Sequence, residues 1–183
     1  MDETEKKRYY FIEYLESLRD ANDRGALASL RKGLGKAPGS VPAMYPTVYP
    51  HLPPNISKRD EENYFIIASL FATHPDAGGR GNMGDVFRQL MEKTQSGSIE
   101  NRFVAILNTH REELAVHLRH AVSLAKANSV PVDWNQLLGD IKYWDNDNKY
   151  TQKQWARSFW QEQHIQTREE EINSKDTETE YST

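Results

Sequence analysis

The chain has 183 residues, 37% hydrophobic and 10% aromatic, enough for one packed domain or two small ones. It has no cysteine, which excludes disulfides and thiolate metal sites and is compatible with the cytoplasm, and no run of about 18 apolar residues that would read as a membrane span. The net charge of −4 misleads: residues 161–183 hold seven acids against Arg168 and Lys175, a balance of −5 that leaves +1 on the remainder.

The start, MDETEKKRYYF, is charged and lacks the apolar region of a secretory signal. Residues 4–20 read as a helix, with Phe11, Ile12, Leu15 and Leu18 at core spacing. Gly25 is expected to break it, and a short helix follows within RGALASLRKGLGK, ended by Gly33 and Gly35. Arg24, Arg31, Lys32 and Lys36 give this block four cations and no acid. Glycine beside cations lets backbone approach a phosphate closely, although a helix C-terminus with favourably placed cations reads the same way.

Residues 37–56 hold six of the eight prolines and are expected to run extended over a core, because Met44, Tyr45, Val48, Tyr49 and Leu52 interleave with them. Ser57 then caps a helix that is apolar almost all round and therefore central. Pro75 and GGRGNMG (78–84) end it. That run lacks the Lys–Ser/Thr ending of a P-loop and no apolar strand precedes it, so nucleotide binding is not expected. A helix on Val86, Phe87, Leu90 and Met91 follows, then one capped by Ser98 with Ile99, Phe103, Ile106 and Leu107 inward.

Residues 109–128 read as the organising helix. Thr109 and Glu112 have capping-box spacing, and Leu114, Leu118, Ala121, Val122 and Ala125 share one face. Arg111, Arg119 and Lys126 fall within about 80° of one another beside that seam. Asp133 caps the next helix, with Trp134, Leu137, Leu138, Ile141 and Trp144 in its seam. Thr151 and Gln154 box the last, where Trp155 and Phe159 lie one turn apart and Lys149, Lys153 and Arg157 form another stripe.

No strand pair with a hairpin turn is evident, so the fold class is all-α: two small helical bundles joined by the proline-rich segment and the glycine-rich loop. The expected division is residues 1–94, 95–162 and a disordered acidic tail, 163–183. His117 and His120, with Glu113 one turn before, could approach a metal on a helix, but Arg119 between them disfavours a dication. No HExxH, no GxSxG and no acid pair in an apolar setting occurs, so neither a metal, a cofactor nor an enzyme is expected.

Six segments in order, RGALASLRKGLG, YFIIASLFATHP, ENRFVAIL, HLRHAVSLAK, VPVDWNQLLGDIKYW and QWARSFW, resemble the CasB family, the small subunit of the type I-E CRISPR surveillance complex Cascade. The resemblance covers about residues 8–160 and excludes the acidic tail. It implies an all-helical, non-catalytic subunit, present in two head-to-tail copies beside the subunits that hold the guide RNA. It also implies a basic surface that holds target DNA, in particular the displaced strand, while a separate nuclease-helicase cuts. Sequence-blind contacts to a freed strand can tip the near-balanced exchange of duplex for heteroduplex. The residues expected to make them are Arg24, Arg31, Lys32, Lys36, Arg102, Arg111, Arg119, Lys126, Lys153 and Arg157. Arg102 and Arg157 could instead pair with Glu112 or Asp133 or cover a neighbouring aromatic. The alternative is a protein–protein scaffold whose cations and Trp residues make subunit contacts.

Overall fold

The computed structural model describes residues 9–161. The acidic tail, the first residues of the predicted N-terminal helix and any statement about their order lie outside the described residues. Within them the chain is helical, with no strand: α1 (Tyr10–Asp20), α2 (Arg24–Arg31), α3 (Tyr45–Val48), α4 (Lys58–Thr73), α5 (Met83–Thr94), α6 (Ser98–Leu107), α7 (Arg111–Ala127), α8 (Trp134–Lys142) and α9 (150–161).

The middle of the fold is α4. Its sequence is apolar on nearly every side, and Tyr64, Phe65, Ile67, Ala68, Leu70, Phe71 and Ala72 are all buried. A helix with no polar face must be covered all round. Here α2, α3, α7 and α8 pack on it, so the first half of the chain supplies the post on which two helices of the second half rest. Each large side chain buried this way contributes about 1.5–3 kcal/mol relative to exposure. Ser57 caps α4 as expected, accepting from Asp60 N–H.

Turn chemistry differs from expectation at several joints. α1 is ended by Asn22, which takes the left-handed conformation at φ 53°, a position that Asn tolerates better than most residues. Gly25 therefore lies inside the first turn of α2, which Asp23 caps through Ala26 N–H. The proline segment is not extended. Two 3₁₀ turns (Pro42–Met44 and Tyr49–His51) flank α3, and each of the three pieces carries Pro at its first or second position, where the missing N–H costs nothing. Met44 and Val48 face the core.

α7 starts at Arg111, not Thr109. Thr109 is buried and its hydroxyl donates back to Ala105 O at 2.8 Å, while its carbonyl accepts from Trp144 Nε1 at 3.0 Å. The residue closes α6 instead of opening α7. Ser98 is the first residue of α6 rather than its cap. Thr151 donates to Asp140 O at 3.3 Å, inside a helix already begun at residue 150.

The GGRGNMG run is a packing device. A Cβ on Gly79 would meet the backbone of Val132, and one on Gly84 would meet the carbonyl of Trp155. Two backbones pass close enough there that only glycine fits. Asn82 forms a capping box with Asp85 and donates to Ser158 Oγ at 2.8 Å, tying α5 to α9. The tryptophans belong to the core too. Trp134, Trp144 and Trp155 are buried, and Trp160, partly buried, donates to Glu100 Oε1 at 3.0 Å. Trp134, Trp144 and Trp155 are thus taken up by the core, whereas Trp160 is only partly covered.

Candidate nucleic-acid interface

The cations reach the surface by different routes. α2 ends at Arg31, and Lys32 to Lys36 then wind through successive tight turns, Leu34 N–H to Arg31 O at 3.0 Å and Lys36 N–H to Gly33 O at 3.0 Å. Gly35 sits at φ +75°, and a Cβ there would strike the Arg119 guanidinium. The side chain of Arg119, in the middle of α7, therefore lies directly on the bare backbone of the loop. Lys36 and Arg119 line one groove of about 370 Å³ together with Ala37, Pro38 and Val116, and with Glu112 as its acid. Glycine at this turn leaves room for the Arg119 guanidinium, so that Arg119 and Lys36 reach one groove as two cations that a phosphate can meet.

Arg111 does something else. Its guanidinium donates to Ile141 O at 3.0 Å, Asn63 Oδ1 at 2.6 Å and Arg59 O at 3.1 Å, joining the start of α7 to α4 and α8. Burial, and then the neighbouring Arg59 charge, pull its pKa below the ordinary guanidinium value. Arg59 in turn pairs with Asp145. Arg31 donates through Nε to Ala72 O at 2.7 Å, a cation placed where the last carbonyls of α4 concentrate partial negative charge. Arg24 is exposed, with a long contact of 3.5 Å to Asn22 Oδ1.

Lys32, Lys126, Lys153 and Arg157 are exposed, and among the described residues none of them is held in an ion pair. Arg102 is also exposed and pairs with neither Glu112 nor Asp133. It lines a second cavity, about 480 Å³, between α6 and α7, with His117 and His120 and an apolar floor that includes Phe87, Ile106 and Leu124. Arg119 Nη2 lies 3.4 Å from His120 Nε2 and so sits between the two cavities. Among the described residues no three His, Cys, Asp and Glu side chains come together as a metal site, and no helix is long and apolar enough to cross a membrane.

The structure thus gathers Lys36 with Arg119, and Arg102 with the two histidines, and assigns Arg111 to the joint between helices. Sequence reasoning does not foresee the seating of Arg119 on Gly35. No local signal carries it, because the two residues lie in different helical layers.

Among the described residues these features define an all-helical module in which Lys36 and Arg119 line one groove beside a glycine turn. Residues 26–160 match the family described as CRISPR-associated protein Cse2, and the chain belongs to that family. A Cse2 protein of Thermus thermophilus is 32% identical over 105 residues, 56% of this chain and 59% of that relative, so the match spans less than two thirds of the relative's length. The crystal structure of CasB from M. ruber superposes with a TM-score of 0.71 at 28% identity, covering 88% of this chain and 95% of the other. A chain of a CRISPR RNA-guided surveillance complex shares the fold, with a TM-score of 0.72 at 22% identity over 87% of this chain and 99% of that chain.

Proposed function

We propose that this protein is a non-catalytic subunit of a guide-RNA surveillance complex in the cytoplasm, present as two copies, which holds target DNA without reading its sequence. The displaced single strand is the part it holds, and holding it favours the open R-loop. The observation that carries this reading is the groove lined by both Lys36 and Arg119, with Arg119 laid on the Gly35 turn, in a chain of the Cse2 family. Lys32, Arg24, Lys126, Lys153, Arg157 and Arg102 extend the cationic surface. Arg31, exposed with its Nε on Ala72 O, adds to that surface, and Arg111 supports it from within, since its guanidinium is already engaged. Interactions of this kind exploit counterion release and are indifferent to base identity.

The test is single-strand binding as a function of salt. Reversing both charges, Lys36→Glu with Arg119→Glu, weakens binding and reduces the slope of log affinity against log salt by about 1.4, roughly 0.7 for each phosphate that is no longer neutralised. An unchanged slope would remove this groove from the interface. A scaffold reading finds support in Tyr143 and Tyr150, each 62% exposed. It is favoured if a double Tyr→Ala variant leaves the complex while DNA affinity is untouched.

A further inference from the structure

Small side chains leave room for the α6–α7 cavity. Ala105 of α6 and Ala121 of α7 line it, over an apolar floor of Phe87, Ile106 and Leu124. Phe87 belongs to a cluster of rings: it lies 5.0 Å from Phe103, which lies 4.5 Å from Phe159. The charged and titratable side chains of the lining are Arg102, His117 and His120, and no acid is among the described residues that line it. The Lys36 groove, by contrast, includes Glu112. Arg102 and His117 are held by no hydrogen bond or ion pair among the described residues. Arg119 can only donate, so His120 accepts from it at Nε2 and carries its own proton on Nδ1. Arg119 thus touches both the Gly35 turn and His120, and the two openings share one cation.

We infer that this cavity seats one unstacked base of a single strand, with the adjoining phosphate on Arg102 and His117. The inference rests on the proposed function and deepens it: the strand is held by a base as well as by its backbone. A bare phosphate would satisfy the rim and leave the floor wet. A wholly apolar ligand would cover the floor and strip water from an unpaired guanidinium, which is costly. A nucleotide offers both surfaces at once, a flat apolar face and an anion. At about 480 Å³ the cavity lies in the range that holds one small molecule, about 300–1,000 Å³. The floor side chains carry no donor or acceptor, and every base has a π face, so the seat tolerates any sequence. The shared Arg119 favours a nucleic-acid strand over a peptide. It makes a continuous route from the Lys36 groove across α7 to Arg102, with cations along it for successive phosphates.

The test uses the full chain and a thymidine single strand of about 16 nucleotides. Ala105 is exposed, so Ala105→Phe fills the cavity and keeps every cation. Strand affinity is expected to fall about tenfold at an unchanged salt slope, in the range of one lost base contact. A strand of equal length with abasic residues throughout is expected to bind the variant and the wild type equally. Val104→Phe, one residue along α6 and outside the cavity lining, controls for added bulk and is expected to bind like the wild type. In the unaltered protein, strands carrying iodouracil are expected to photo-cross-link to peptides that hold Phe87, His117 or His120. Thymidine affinity unchanged by Ala105→Phe overturns the seat while the strand-holding reading stands, as do cross-links confined to exposed tyrosines such as Tyr10 and Tyr49. Loss of Ala105→Phe from the assembled complex at unchanged strand affinity gives the cavity to a partner protein, and likewise overturns it. If the wild-type chain binds no strand at all, the proposed function fails, and the seat fails with it.

Discussion

Replacing Arg111 by Met tests whether this residue is a joint or a DNA contact. Methionine keeps the length of the side chain and a comparable helix propensity, so what is lost is the guanidinium. Three acceptors lose their donor: Ile141 O, Asn63 Oδ1 and Arg59 O. Asn63 is buried and its Nδ2 already has no partner, so its amide becomes isolated. A hydrogen bond from a charged donor contributes about 1.5–3 kcal/mol net. The three share one side chain at a half-buried site and are not additive, so the expected loss is about 3 kcal/mol. Urea denaturation followed by far-ultraviolet circular dichroism measures it, with the midpoint falling and the slope unchanged. Arg111→Lys keeps the charge but not the fork that spans three acceptors, and should lose about 2 kcal/mol. Single-strand affinity of the folded Met variant should stay within about twofold. A loss of stability below about 0.5 kcal/mol in both variants would refute the joint, and an intact fold with sharply weaker DNA binding would return Arg111 to the phosphate-facing set.

Three further outcomes are expected. Gly84→Ala forces α5 away from the Trp155 carbonyl, and thermal denaturation should show a loss of at least about 2 kcal/mol, in the range of overpacked cores. Gly35→Ala strains a left-handed position and pushes Arg119 aside, so about 1–2 kcal/mol of stability should go together with some single-strand affinity, read by denaturation and by fluorescence anisotropy. Tyr64 is buried and its pKa is pushed up to about 12. The folded protein then keeps a proton that the unfolded chain has shed, so stability is complete below about pH 10 and falls as pH rises toward 12. Tyr64→Phe should flatten that decline in denaturation measured across this range.

Helix faces are legible because they follow from spacing alone. Leu114, Leu118, Ala121, Val122 and Ala125 are all buried along α7, as are Trp134, Leu137, Leu138 and Ile141 along α8. Helix ends are less so. Thr109 and Glu112 have the right separation for a capping box, but the hydroxyl has a nearer acceptor in the helix before it. The proline segment misleads for a related reason: each Pro reads as a breaker, whereas at the first positions of very short helices it is a starter. The candidate site is legible as composition and not as geometry. Arg111 and Arg119 share an edge of α7 by angle, yet α4 and α8 cover the first while the second reaches the loop at Gly35. Which cation a neighbouring helix covers is decided by tertiary packing, to which periodicity is blind.

The four tryptophans fall between residues 134 and 160. Intrinsic emission is therefore a reporter confined to the later part of the chain, while ellipticity samples every helix from α1 onward. Coincident melting curves from the two signals would mean that the post formed by α4 transmits collapse from one end of the molecule to the other; separated curves would mean that each end can come apart on its own schedule.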